Sequence, residues 1–371
     1  MQNRKLSKVV IVTLFMIALS ACAASISSDV ASPEQVTPLK TLTSIPVSTN
    51  IQSSSEETQD FLPEIKILEM PLPDPLSKAS AEISGLAWFG EKLVLLPQYP
   101  DRFPYEAAGS LFAIEKQEIL DYLNAPDDNA IQVSQIPFDD GGLRTKLKGF
   151  EGYEAIVFFD NKIYLTIETK PSSKMLGYLV KGEIKDGRIS IDRENLVELP
   201  PQNDFLNASY ESMMIFDEKI YTVYEDNGEL QNNDPTVLIF SLDLEKIGEV
   251  HMPPINYRIT DTTEVDQDGQ FWAMNYFYPG DTFLSTVDDP LIDRYGQGET
   301  HALFDPVERI IKLQISNDGI NLVDQEPVYL ELLVGNEARN WEGIVLLDDL
   351  GFIIATDKFP GTSLGFVRNL R

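Results

Sequence analysis

The chain has 371 residues, of which 43% are hydrophobic and 10% aromatic, enough apolar material for a large core and too much for a disordered polymer. Its formal net charge is −30, from 59 acidic against 29 basic residues, a field that repels nucleic acid and anionic lipid and attracts cations. One cysteine excludes an internal disulfide, and two histidines leave little room for a histidine-based triad or a zinc cluster.

In chain order, Arg4, Lys5 and Lys8 precede an apolar run over 9–19, the layout of a secretory signal and too short for a comfortable membrane span. Leu19-Ser20-Ala21-Cys22 then resembles the lipobox of bacterial lipoproteins, which implies a signal peptide over 1–21 and a lipid on Cys22. Residues 22–61 are rich in Ser, Thr and Pro without apolar periodicity and read as a flexible tether. The expected order is anchor, stalk and a folded domain over 62–371, exported and held at the outer face of a cell membrane or outer membrane, and a monomer.

Within 62–371 one motif returns. Residues 152–168 read as two short strands joined by Asp160-Asn161, and 209–225 repeat the pattern around Asp217-Glu218. Glu154 and Glu168 stand 14 residues apart, as do Glu211 and Glu225. A third copy, 340–357, has one residue more in its turn, and weaker copies run over 84–98 and 261–275. Each copy opens a unit of about four strands, with Asp186-Gly187 as a further hairpin turn. A helical turn is expected near 117–123, and an insertion over 278–306 in the fourth unit. The fifth unit has three strands, and residues 64–70 are the economical source of its fourth, which would close a ring and remove sheet edges. The expectation is all-β, a β-propeller of five blades, or six if the long fourth unit hides another sheet.

In such a hairpin the start of the first strand and the end of the second lie at the same end of the sheet. Glu154, Glu211, Asp261 and Glu342, with Ser84, then ring the channel mouth, and Glu168, Glu225, Asn275, Asp357 and Gln98 form a second ring outside it. Loops at this end are long and bring Tyr99, Phe103, Tyr105, Tyr276, Phe277, Tyr278 and Phe283; those at the other end are tight. Converging carboxylates repel one another and call for protons, basic partners or a hard cation, calcium before magnesium. Arg102, Lys170, Arg258, Arg294, Arg339 and Lys358 are the basic groups available near the mouth. Alternatively, each glutamate holds backbone amides of the neighbouring blade and has no ligand at all.

Glu82-Ile83-Ser84-Gly85-Leu86-Ala87-Trp88 and Asn340-Trp341-Glu342-Gly343-Ile344 resemble the propeller lineage of the phytase-like (esterase-like) domains, the SMP-30 gluconolactonases and the SdiA-regulated proteins. That resemblance implies a divalent cation, Ca2+ first, held at the mouth by Glu154, Glu211, Asp261 and Glu342 with Asn275 and Asp357 nearby. It also implies hydrolysis of small phosphorylated, ester or lactone compounds by metal-assisted attack. Glu168, Glu225, Gln98, Ser84, Arg258 and Arg339 would then surround the bound compound. The competing expectation is a tethered propeller that displays one face to a small ligand or a protein. A deep, water-accessible pocket ringed by carboxylates favours the enzyme, and a plugged channel favours display.

Overall fold

The computed structural model describes residues 61–369 apart from 206, 286 and 287. The signal, the lipid site at Cys22 and nearly all of the tether lie outside the described residues.

The protein is an all-β propeller. The first unit contains β3 (Ile83–Phe89), β4 (Lys92–Pro97), β5 (Gly109–Glu115) and β6 (Ser134–Asp139), preceded by the short β1 (Glu64–Ile65) and β2 (Leu68–Met70). Next come β7 (Phe150–Phe159), β8 (Lys162–Thr169), β9 (Leu176–Lys185) and β10 (Arg188–Leu199), then β11 (Ser212–Phe216), β12 (Lys219–Val223), β13 (Thr236–Ser241) and β14 (Lys246–His251). The long fourth unit holds β15 (Arg258–Thr262), β16 (Gln270–Phe277), β17 (Val307–Ser316), β18 (Gly319–Leu322) and β19 (Val328–Leu330). The chain ends with β20 (Trp341–Leu347), β21 (Gly351–Thr356) and β22 (Leu364–Arg368). The strands β3, β7, β11, β15 and β20 succeed one another round a closed ring, β20 packing against both β15 and β3. From each, antiparallel neighbours lead outward. Among the described residues hydrogen-bonded sheets number only four, because β6 and β10 pair in parallel (Ile189 with Phe138, Ser190 with Asp139) and fuse the first two meanders into eight strands.

The N-terminal segment does more than close the last sheet. As expected, β2 pairs antiparallel with β22. β1, however, leaves that sheet and pairs in parallel with β19 of the unit before it. The Glu64 carboxylate explains the detour. It accepts hydrogen bonds from Thr300 N, Thr300 Oγ1 and His301 N, and meets His301 Nδ1 at 2.7 Å, all from the insertion.

Among the described residues three short α-helices interrupt the strands: α1 (Lys116–Asn124), α2 (Leu143–Lys146) and α3 (Pro290–Tyr295). The first matches the helical turn anticipated at 117–123. The third has a start signal readable in the sequence, Asp289 accepting from Leu291 N at 3.0 Å with Pro290 at the first helical position. Tight turns sit where expected; Asp186 and Gly187 both have positive φ (52° and 74°), as a two-residue hairpin turn demands.

The units pack through their aromatic residues. Tyr153, Tyr210 and Trp341, each just before a cavity glutamate, are 1–2% exposed. Tyr153 packs edge-on against Phe138 of the first unit, whereas Tyr210 packs against Tyr224 of its own unit, both with centroids 5.2 Å apart, and reaches the preceding unit by donating its hydroxyl to the Pro200 carbonyl at 2.7 Å. Burying one such ring stabilises the fold by roughly 2–3 kcal/mol. These rings set the spacing of the units, and so fix where the adjacent carboxylates stand.

Candidate functional site

The inner strands share a defect at their starts. Register shifts fall between Ile83 and Gly85, Tyr153 and Ile156, Ile259 and Asp261, and Trp341 and Gly343. A bulge inserts a residue that opposes no partner and re-aims its side chain. The residues within these shifts are Ser84, Glu154 with Ala155, Thr260, and Glu342; in the third unit Glu211 stands just ahead of β11. Glu154, Glu211, Thr260 and Glu342 line a cavity of about 680 Å³ at this end of the ring. Gln98, Glu168, Glu225 and Asp357, from the ends of the second strands, line it too.

Three of the hairpins therefore each bring a pair of carboxylates to one cavity: Glu154 with Glu168, Glu211 with Glu225, and Glu342 with Asp357. Within each pair, the partner is the strongest of the charges that raise the proton affinity of the inner residue. Burial acts first and the neighbouring anion second, pushing Glu154, Glu211 and Glu342 well above the usual carboxylate range. Burial likewise pushes Glu168 up to about 8, with help from Glu225 and Glu151 and against Arg258 and Lys170. Asp357 rises less, to about 6, because Lys358 and Asn340 offset its burial.

The hydrogen bonds separate the pairs further. Gln98 Nε2 donates to Glu154 at 3.1 Å. Asn340 Nδ2 donates to Glu342 at 2.5 Å and lies 3.3 Å from Asp357, so one amide bridges that pair. Glu225, fully buried, forms an ion pair with Arg258, whose guanidinium also holds Asp281 at 3.1 Å and the Asn207 carbonyl at 3.2 Å. The side-chain carboxylates of Glu168 and Glu211 have no hydrogen bond or ion pair among the described residues. Of the remaining wall, Tyr276 comes from the end of β16 and Tyr278, Phe359 and Pro360 from loops, with Tyr278 48% and Phe359 60% exposed.

Searches for relatives return folds and no family. No family model matches the chain, and no curated protein does. Among solved structures, it is similar to a xylan β-1,4-xylosidase from Bacillus halodurans (11% identity, 80% of this chain and 54% of that one, TM-score 0.45). It is also similar to a protein of Parabacteroides distasonis assigned as a glycoside hydrolase (9% identity, 83% and 94% covered, TM-score 0.43). An α-L-arabinofuranosidase from Clostridium thermocellum is a third (10% identity, 74% and 81% covered, TM-score 0.41). At such identities the likeness is one of fold.

Several residues expected at the mouth stand elsewhere. Asp261 is not in the cavity: it is 4% exposed, its Oδ1 accepts from Thr262 N at 2.8 Å, its Oδ2 from Ile344 N at 2.9 Å, and the Leu86 amide is also directed at it. Aligning the fourth unit on its carboxylate misplaces it by one residue, because the bulge puts Thr260 at the mouth. Asn275 is fully buried, donating to the Asn256 and Arg258 carbonyls at 2.9 and 3.0 Å and accepting from Arg309 Nε at 2.8 Å. Ser84 donates to the Tyr153 carbonyl at 2.6 Å and lies outside the lining. Arg339 is held by Glu308 at 2.7 Å, also away from the cavity. Of the other basic candidates, Arg258 and Lys358 line it, whereas Arg102 pairs with Glu82 and Arg294 with Asp324. Tyr276 and Tyr278 supply the aromatic wall; Tyr99, Phe103 and Tyr105 do not. The sequence reading passed over Asn340 and Asp281 as site residues. Asn340 had a signal, standing two residues before a repeat glutamate; Asp281, inside the insertion, had none.

The six-oxygen set implied for a divalent cation is thus not assembled. Two of its members serve backbone and arginine, and among the described residues no three acidic, histidine or cysteine side chains are grouped as metal ligands.

The raised carboxyls give stability a pH dependence of definite sign. Glu168 and Asp357 have ordinary values of 4.5 and 3.8 and folded values of about 8 and about 6. Between those limits the folded state holds more protons than the unfolded one, so stability falls as pH rises. The melting temperature is expected to be higher at pH 6 than at pH 8.5, and Glu168→Gln should flatten the upper half of that decline. A melting temperature that climbs across this window would overturn the assignment.

Proposed function

We propose that the carboxylate cavity is the active site of a hydrolase that works by general acid–base chemistry on a neutral, hydroxyl-rich compound, a glycoside first. The observation that carries this reading is the Glu342–Asp357 pair. One carboxyl is pushed well up and the other only to about 6, and both line an open cavity. Separated proton affinities in adjacent carboxyls divide the work: Glu342, pushed further up, is the proton donor and Asp357 the acceptor. In glycoside cleavage the acid protonates the leaving oxygen while the carboxylate activates water or attacks the sugar carbon. Asp357, once ionised, favours the positive charge that develops on the sugar ring.

Charge argues for the substrate class. The lining carries Glu154, Glu168, Glu211, Glu225, Asp281, Glu337, Glu342 and Asp357 against Arg258 and Lys358, and both cations already pair with acids. A phosphorylated compound meets a barrier there, because neither lining cation is left unpaired to receive its charge. Neutral glycosides, esters and lactones meet no such barrier, and the exposed Tyr278 and Phe359 offer faces for a sugar ring.

The test is a panel of aryl pentosides and hexosides, aryl esters and lactones, run with calcium and with chelator at matched ionic strength. Turnover of a glycoside unaffected by chelator supports the reading. Turnover that requires calcium, with a melting temperature that calcium raises and Glu154→Gln abolishes, would replace it with cation-assisted hydrolysis. No turnover of any member, with binding retained, would leave the propeller as a display module. The lipid anchor at Cys22 is a separate proposal, checked by whether Cys22→Ser releases the protein from the membrane fraction.

A further inference from the structure

The ring has a second opening, at the end where the turns are tight. A well of about 530 Å³ is walled there by the far ends of β3, β7, β11 and β20 and by the segment that follows β15. Its walls are largely apolar, with Trp88, Phe158, Met213, Met214, Phe216 and Val265 among them. Two methionines in such a wall adapt to ligands of varied shape. The polar groups are of one sign. Asp217, Glu218, Glu264 and Asp266 line the well, and no lysine, arginine or histidine does.

Those four charges have no cationic partner. None joins an ion pair among the described residues, and the cation whose field reaches Glu264, Lys116, is paired with Asp348 at 2.5 Å. Glu264 is directed at the Leu346 and Trp88 amides, and Asp266 Oδ1 accepts from Asp268 N and Gln270 N at 2.9 and 2.8 Å. Amides fix these two carboxylates in place without a neutralising cation, while burial raises the proton affinity of Glu264. A second observation is independent of the acids. Thr262, 5% exposed, lines the same well, and its Oγ1 has no hydrogen-bond partner. A buried hydroxyl without a partner is uncommon in a native fold and calls for one.

We propose that this opening is a second binding site, separate from the carboxylate cavity, for a lipophilic primary amine. The hydrocarbon body lies against Trp88 and the methionines, and the ammonium group, a donor with a full positive charge, meets the carboxylates and the Thr262 oxygen. A concave apolar site with a few convergent polar groups is the usual form of a small-molecule pocket. The sign of those groups selects amine over acid, and their single sign makes anions poor ligands.

The probe is octylamine, with octyl sulfate as the control of opposite charge, measured by calorimetry. Octylamine is expected to bind the full-length protein, and octyl sulfate not to. Glu218→Lys, on an exposed turn, and Val265→Arg, which places a cation in the well, should each weaken octylamine at least about tenfold. Glu342→Gln, in the other cavity, should leave it unchanged. Equal binding of octyl sulfate, or indifference to both well variants, would overturn the proposal. Loss of octylamine binding in Glu342→Gln would overturn it as well, by assigning the amine to the carboxylate cavity.

Discussion

Glu342→Gln is expected to lower kcat on the best glycoside by about 10²–10⁴-fold with little change in KM, because general acid catalysis contributes that much in the transition state and little to ground-state binding. Glutamine keeps the shape and can still accept from Asn340, so the loss reads the proton and not the fold. Asp357→Asn should fall by a similar factor for the complementary reason, the loss of the base. The pH profile tells the two apart. Activity in the parent should rise through the titration of Asp357, at about 6, and fall where Glu342 loses its proton. Glu342→Gln should erase the alkaline limb and Asp357→Asn the acid limb. Substrates whose leaving group needs no protonation should recover much of the rate in Glu342→Gln and none in Asp357→Asn. A kcat within about threefold of the parent in Glu342→Gln would remove Glu342 from the chemistry.

That pairing was visible in the sequence for a physical reason. A hairpin with a fixed turn returns its second strand alongside its first, so a spacing of 14 or 15 residues brings two side chains to one end of the sheet whatever lies between. Glu154 with Glu168, Glu211 with Glu225 and Glu342 with Asp357 all obey this rule, and all six line the cavity. The alternation of apolar residues likewise marked the strands, and the tight turns marked the opposite end.

What escaped were features one residue in size or far apart in sequence. A bulge between Ile259 and Asp261 leaves no mark on composition, yet it exchanges Thr260 for Asp261 at the mouth. Asn275 sits at the position that would face the cavity, but Arg309, 34 residues away on β17, claims its oxygen. Arg339, next to the repeat motif, is drawn inward by Glu308, which also accepts from Trp341 Nε1 at 2.7 Å. The splitting of 64–70 into two strands depends on Thr300 and His301, more than 230 residues along the chain. Local periodicity carries no information about such partners.

Asp261 provides the second large effect, in stability. Its carboxylate receives amides from β20 and β3 as well as its own neighbour Thr262, and so ties the inner strand of the fourth unit across to two others. Burial pushes the carboxyl well up, and the amide hydrogen bonds offset only part of that. Asp261→Ala would leave these donors buried and unpaired, each at roughly 1–3 kcal/mol, so a loss of about 3–5 kcal/mol is expected in denaturant unfolding. Asp261→Asn keeps one acceptor but presents an NH2 group to amides that also donate, and should lose most of the same amount. Calcium should not alter either deficit, since the side chain faces backbone and not the cavity. A destabilisation that appears only in the presence of calcium, with unchanged stability in chelator, would instead make Asp261 a cation ligand and the cross-strand tie incidental.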